Sequence, residues 1–322
     1  MDAFAPTQAP AHARGALADA PWCTWSNEAR DLVTAFAKAI GGMAEPALLT
    51  RPVGPNHDVT YSLPVDTVTD PALREGLLAL AEALYHRPLP EGGILLLSGL
   101  SGGGAGGRAM HSLLALLRDA LSALGGDGSA HYAPIAPAEG ARSAFPLHAD
   151  LFRSPNLLSV FDDVPADDSG TPVFLSTTRL LTLIHDQGSM PEATRRRIVD
   201  LLLDRSGDDR YDDLFDLLHG THPWTYAIEK RMHAARIALR LRPGEGYLVD
   251  DRRWLHGREP QTSDVTSDRV RRLTFASATM NEGVDALRRE LLAAAGLPEA
   301  ALPGHGVEPH RGPSDPQGDS SA

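Results

Sequence analysis

The stretch Asp250–Glu259, DDRRWLHGRE, carries the most specific pattern in the chain. It follows an alternating run, Ala234–Leu241 (AARIALRL), a tight turn at Arg242–Gly246 (RPGEG) and a short apolar run from Tyr247. Alternation with period two reads as strand, and Pro-Gly clusters read as turns. This reading places His256 just past a strand end, with Gly257 beside it permitting close backbone approach. An imidazole on a sheet, next to a glycine, is a candidate metal ligand.

Working outward, Phe145–Phe152 reads FPLHADLF. On an extended strand, His148 and Asp150 are two positions apart and project to the same face. H-x-D by itself is weak, because a buried His beside a solvated Asp is the ordinary explanation. Joined to His256, the pair supplies two imidazoles and one carboxylate. That facial set leaves positions open for other ligands and is the arrangement of non-haem iron(II) oxygenases. Downstream, Asp268–Ala276 (DRVRRLTFA) brings Arg269, Arg271 and Arg272 to the start of an apolar strand. A guanidinium inside a barrel needs an anion, ideally a carboxylate held by two parallel hydrogen bonds. Alternation puts Arg269 and Arg271 on one face and Arg272 on the other.

The rest of the chain alternates between helix and strand signals. Ser26–Gly41, Asp70–His86, Arg108–Leu124, Met190–Leu203 and Tyr211–Leu218 read as helices, with Ser26 and Asp70 as caps. Gly93–Leu100, Leu157–Phe161, Pro172–Leu175, Gly246–Val249 and Leu273–Ala278 read as strands. Helices come first and strands concentrate later, which suits an α+β protein with a β-sandwich or barrel flanked by helices.

These segments resemble the iron(II)/2-oxoglutarate dioxygenases of the taurine dioxygenase and clavaminate synthase-like superfamily, over roughly Asp58 to Met280. GILLLSGL resembles that family's early strand and turn. PLHADLFRSPNLLSVF resembles its H-x-D/E segment, SGTPVFLSTTRLL the stretch after it, DDRRWLHGRE its D-N-x-R-x-L-H-G-R segment, and RRL its closing R-x-L. The resemblance implies a double-stranded β-helix (jelly-roll) core flanked by helices, with a helical insertion at about 188–225. It implies one dioxygenase domain over 21–302, with its β core at about 93–280.

It further implies His148, Asp150 and His256 as iron ligands and Arg271, the R of R-x-L, as the 2-oxoglutarate arginine, with Arg269 and Arg272 as rivals. Thr171 would touch the co-substrate, one position away from the family's usual threonine. His131, Tyr132 and Arg258 are candidate substrate contacts. The implied activity is an Fe(II)-, 2-oxoglutarate- and O2-dependent hydroxylation of a small molecule, such as an amino acid or derivative, releasing succinate and carbon dioxide. A carboxylate at Asp150 leaves no place for a halide, which argues against halogenation.

Two other readings are weighed against it. One is a non-catalytic barrel that binds a small acid. The other is a nucleotide-binding protein using Gly102, Gly104 and Gly107, which have G-x-G-x-x-G spacing. That fingerprint needs an adjacent parallel strand ending in an acid about 20 residues on, and GGDGSAHY follows instead. No G-K-[ST] occurs.

The 322 residues carry a net charge of −12, with 42% hydrophobic and 22% charged side chains. Such acidity argues against a nucleic-acid binder. No apolar run spans a bilayer, and the first residues lack the basic and apolar parts of a secretory leader, so a cytoplasmic protein is expected. Residues 1–20 and 303–322 are expected to be poorly ordered. Cys23, the single cysteine, is expected to be a packed thiol. LHGTHPWTY, holding His219, His222 and Trp224, is expected to be a loop-like insertion over the site, and His185–Asp186 to be structural.

Overall fold

The computed structural model describes all residues except 14–16, 18–19, 54–55, 101–106, 127–128, 136–143, 151–153, 163–169, 205–209, 261–269 and 300–322. The first part of the chain carries β1 (Phe4–Thr7), β2 (Trp22–Trp25), α1 (Asn27–Ala39), a hairpin of β3 (Ala47–Val53) and β4 (Asn56–Ser62), and α2 (Pro71–Tyr85). Ser26 and Asp70 cap α1 and α2 by accepting from backbone N–H groups of their first turns. Next come β5 (Ile94–Leu97), α3 (Gly107–Gly125), β6 (Ala130–Ile135), β7 (Phe145–His148), β8 (Asn156–Phe161) and β9 (Pro172–Ser176). Four helices follow: α4 (Thr177–Gln187), α5 (Glu192–Leu203), α6 (Arg210–His219) and α7 (Thr225–Ala235). The chain then returns to strand in β10 (Ile237–Ala238), β11 (Gly246–Asp250), β12 (Trp254–Arg258) and β13 (Val270–Phe275), before α8 (Val284–Ala294).

Two sheets organise these elements. The larger has the order β1-β2-β5-β11-β8-β13-β6, and the smaller β10-β9-β12-β7. Strand alternation gives each sheet two distinct faces. On the larger sheet Leu95, Leu97, Leu158, Val160, Leu248, Leu273 and Phe275 pack against α1, α2 and α3. On the smaller, Leu147, Val173, Leu175 and Leu255 pack against the helices from α4 onward. The faces turned toward each other join through Leu96, Leu157, Phe161, Phe174, Tyr247 and Val249, with the Phe174 ring edge-on to Tyr247 at 4.9 Å. The order is therefore helices, sheet, sheet, helices, and any inward side chain lies between the sheets.

Several expectations change. Residues 1–20 include β1, because Phe4 stacks on Trp25 at 4.9 Å and β1 pairs with β2. An apolar anchor on a waiting strand edge overrides the Ala/Pro-rich composition. The strand expected over Ala234–Leu241 shrinks to β10, because its first two residues end α7. The helical insertion runs from α4 to α7, beyond the expected 188–225. His256 lies in the middle of β12 rather than past a strand end. β5 pairs with β2 and β11, while the strand after α3 lies at the far edge of the sheet. The glycine run thus has no adjacent parallel strand following its helix, and residues 102–106 themselves lie outside the described residues. So does the 303–322 tail.

Candidate metal centre

His148 and His256 are opposite each other in the register of β7 and β12, and their ring centroids are 4.3 Å apart. Leu147 and Leu255, their neighbours in sequence, face the helices, so both imidazoles turn inward. Between this pair and Arg258↔Phe145 the register slips by a bulge. Gly257 accommodates it: a Cβ there would sit 2.6 Å from the Phe145 carbonyl oxygen and 2.9 Å from that of Pro146. A bulge beside a site re-aims side chains, and here it lets β7 end with His148 and turn Asp150 inward.

The donor atoms of His148, Asp150 and His256 all lie within 4.8 Å of one another. Asp150 Oδ1 is 3.2 Å from His148 Nε2, and its Oδ2 is 3.6 Å from His256 Nε2. His148 Nδ1 donates to the Pro146 carbonyl at 2.9 Å, so its Nε2 carries the lone pair. His256 is buried with both ring nitrogens lacking a hydrogen-bond partner among the described residues. A buried imidazole left in that state is costly, and a cation between the three donors would satisfy it. The residues present fit a divalent ion.

Charges prepare these groups. Burial would raise the Asp150 pKa, but the Arg272 guanidinium and the two close imidazoles outweigh it and hold the carboxyl well below its usual range. Burial, then the neighbouring His148, push His256 down against the opposing pull of Asp150, which favours the neutral ligand form. Arg272 Nη1 donates to Asp150 Oδ2 at 2.8 Å. Burial opposes its charge, yet Asp150, Tyr247 and Asp251 hold its pKa above the ordinary value.

The three arginines separate. Arg272 faces inward with Val270 and Thr274. Arg271 shares the face of Leu273 and Phe275, so it turns to the helices. There its Nε pairs with Asp162, its Nη1 donates to Tyr132 Oη at 3.4 Å, and a Cβ at Gly107, at the head of α3, would meet its Nη2 at 3.0 Å. The structure thus places Arg272, one of the rivals to Arg271, beside Asp150: strand alternation, not position within R-x-L, decides which guanidinium enters. Arg269 lies outside the described residues. Tyr132 lies on the helix side for the same reason. It is the register partner of Leu273, is fully buried, and meets His111 Nδ1 at 2.8 Å on the helix side. Its neighbour His131 pairs with Thr274 and faces inward. Arg258 shares the His256 face at the bulge. Thr171 is buried at the head of β9, accepting from the Glu259 N–H at 2.8 Å, three strand positions from Phe174, the partner of His256.

The sequence reading missed Asp251. Its Oδ1 accepts from the Asp150 N–H at 3.2 Å and lies 3.6 Å from His256 Nδ1. The doubled aspartate of DDRRWLHGRE was the available signal: Asp250 turns to Arg252, whose Nη2 donates to it at 2.8 Å, leaving Asp251 for the ligands. Tyr211 was missed too. Its ring stands edge-on to His148 at 5.8 Å, and Phe145 does the same at 4.5 Å. Burial first, then the Asp150 and Asp212 charges, raise the Tyr211 pKa. Helix α6, which carries Tyr211, is pinned where His219 Nε2 donates to the Leu147 carbonyl at 2.8 Å while its Nδ1 meets Glu229 at 2.9 Å. His219 ends that helix rather than sitting in a loop, and Trp224 leads into α7. His222 pairs with Asp216 at 3.0 Å and is not a ligand here. His185 lies in α4.

No family model matches the chain, and no curated protein matches it. Among solved structures, it is similar to an asparagine oxygenase, AsnO, at 15% identity and a TM-score of 0.42, covering 79% of this chain and 92% of that one. It is also similar to a non-heme iron oxygenase, OrfP, in complex with Fe and alpha-ketoglutaric acid, at 15% identity and a TM-score of 0.39, covering 83% and 96%. Likenesses this remote carry no argument about chemistry, which rests on the residues themselves. Among the described residues no helix is long and apolar enough to cross a membrane.

Proposed function

We propose that this chain is a non-haem iron(II)- and 2-oxoglutarate-dependent oxygenase that hydroxylates a C–H bond of a small molecule, an amino acid or derivative being the first class to test. His148, Asp150 and His256 hold the metal, and Arg272 holds the far carboxylate of the co-substrate. The observation that carries this reading is the convergence of two imidazoles, one carboxylate and one buried guanidinium on the facing surfaces of two sheets. We read those sheets as the halves of a double-stranded β-helix and residues 21–302 as one catalytic unit.

When bound, iron and 2-oxoglutarate would let O2 act as the oxidant: the keto acid would give succinate and carbon dioxide, with one oxygen atom entering the succinate and the other the substrate. The chain's own residues prepare that chemistry. His148 and His256 present neutral nitrogens, the first fixed in tautomer by the Pro146 carbonyl. Asp150 stays ionised, and as a carboxylate it fills the position a halide would need. Asp251 fixes the Asp150 backbone and stands 3.6 Å from the His256 ring. Phe145 and Tyr211 stand edge-on to the His148 ring, while Arg258 and His131 face the same interior as substrate contacts.

The test is succinate formation from 2-oxoglutarate under air with added Fe(II), against a panel of amino acids, peptides and sulfonates. Iron-dependent succinate release that rises with one panel member and disappears in His256→Ala supports the reading. No succinate with any member, from protein that binds 2-oxoglutarate without metal, would favour a non-catalytic acid-binding barrel.

A further inference from the structure

Helix α6 carries two apolar stripes with different fates. Leu214 and Leu218 are fully buried and join the core behind the smaller sheet. Tyr211 and Phe215 are also one turn apart, so they share a face, but both stay only half-buried. Their rings stack at 5.6 Å with planes 26° apart, which makes one flat surface of two side chains. It begins at the metal centre, where Tyr211 stands edge-on to His148. It ends where Phe215 meets the His219 ring at 4.9 Å, and the His219 bond to the Leu147 carbonyl holds the helix on β7.

Phe145 adds a third ring from the strand side. It is edge-on to His148 at 4.5 Å and opposite Arg258 across the bulge. Phe145 is 42% exposed, although the His148 it touches is only 4% exposed. A large ring left open gives the fold little, because its area is not removed from water. Aromatic surface left open beside convergent polar groups is the composition of a ligand pocket.

The acids near these rings are engaged elsewhere. Asp213 pairs with Arg197 at 2.6 Å, Asp216 with His222 at 3.0 Å and Glu229 with His219 at 2.9 Å. Asp212 is exposed, and Asp150 is committed to Arg272 and the two imidazoles. A cationic group laid on this surface would have to draw a carboxylate from its partner. A carboxamide would lose hydrogen bonds to water and find ring faces in return. An aromatic ring meets neither cost and gains ring–ring contact.

We infer that Tyr211, Phe215 and Phe145 receive the side chain of the substrate, and that this side chain is an aromatic ring, as in phenylalanine, tryptophan or their N-acyl derivatives. This rests on the proposed function and names the substrate class of that site.

The experiment uses the full chain loaded with Mn(II) and 2-oxoglutarate and titrated by calorimetry. The titrants are L-phenylalanine, L-tryptophan, L-arginine and L-asparagine, each also as its N-acetyl derivative. One ring–ring contact strengthens binding by about two- to tenfold beyond the area it buries. The tightest aromatic titrant is therefore expected to bind at least about tenfold more tightly than any arginine or asparagine titrant. Phe215→Leu and Tyr211→Leu, which keep an apolar residue on α6, should each weaken that aromatic titrant by about two- to tenfold. Affinities for Mn(II) and 2-oxoglutarate should stay at wild-type values, which a displaced helix would not allow.

Tighter binding of an arginine or asparagine titrant, with Mn(II) and 2-oxoglutarate bound, overturns the aromatic class and leaves the oxygenase reading standing. Absence of binding by every aromatic titrant does the same. Tight aromatic binding that neither leucine variant weakens also overturns it, by placing the ring elsewhere. Failure of wild type to bind 2-oxoglutarate when Mn(II)-loaded removes the oxygenase reading and this inference together. If one leucine variant does not fold, the other decides.

Discussion

His148 and His256 meet as direct register partners across β7 and β12, with ring centroids 4.3 Å apart. Their approach depends on a bulge one step along the same pair, and the bulge depends on Gly257. A Cβ at that position meets two backbone carbonyls of β7 rather than movable side chains. Gly257→Ala is therefore expected to push the strands apart and to lower stability by about 1–3 kcal/mol. Metal affinity should fall by about tenfold or more, as His148 leaves its place. Urea denaturation and an Mn(II) titration on the same variant check both parts.

The arginines give a clean contrast. Arg272→Met removes the guanidinium beside Asp150 and is expected to weaken 2-oxoglutarate binding by at least about a hundredfold. Arg271→Met breaks the contacts to Asp162 and Tyr132 on the helix side. It should cost about 1–3 kcal/mol of stability while Mn(II) and 2-oxoglutarate affinities stay near wild type. The reverse pattern would restore Arg271 to the centre.

Asp251 accepts from the Asp150 N–H and stands 3.6 Å from His256 Nδ1. Asp251→Asn is expected to reduce metal affinity by about 10–100-fold, with little change in helix content by circular dichroism. Wild-type affinity in that variant would mean that the contact to Asp150 N–H and the approach to His256 do not orient the site.

The Asp150 carboxyl is held below its ordinary range in the folded state. The sign follows from linkage: a depressed folded pKa stabilises above the unfolded value of about 3.9, and that stabilisation fades as pH falls toward the folded value. Metal-free wild type should therefore keep this contribution at pH 5–7 and lose it below about pH 4. Asp150→Asn should lack that part of the acid slope. Urea midpoints of both proteins across this window provide the comparison, and identical slopes would contradict it.

Much of the centre was legible because its ligands sit in short local patterns. H-x-D and the H-G pair at His256 each declare their chemistry within a few residues, and Gly257 has the close backbone approach read from sequence. The arginine was not legible in the same way. Arg271 and Arg272 are neighbours, and only the packing of Leu273 and Phe275 on α3 decides which of them faces inward. The side on which Tyr132 lies was hidden for that same reason. The helices were legible where a cap precedes an apolar period, as at Ser26 and Asp70. Helix α7 was hidden because Trp224 begins it without a side-chain cap and its alanines run on into β10.

The most direct test of the account is optical. Anaerobic protein saturated with Fe(II) and 2-oxoglutarate is expected to show a weak visible charge-transfer band, present in wild type and lost in His256→Ala. No band from wild type saturated in both, or a band unchanged in His256→Ala, would contradict the assignment of His148, Asp150 and His256 as the iron centre.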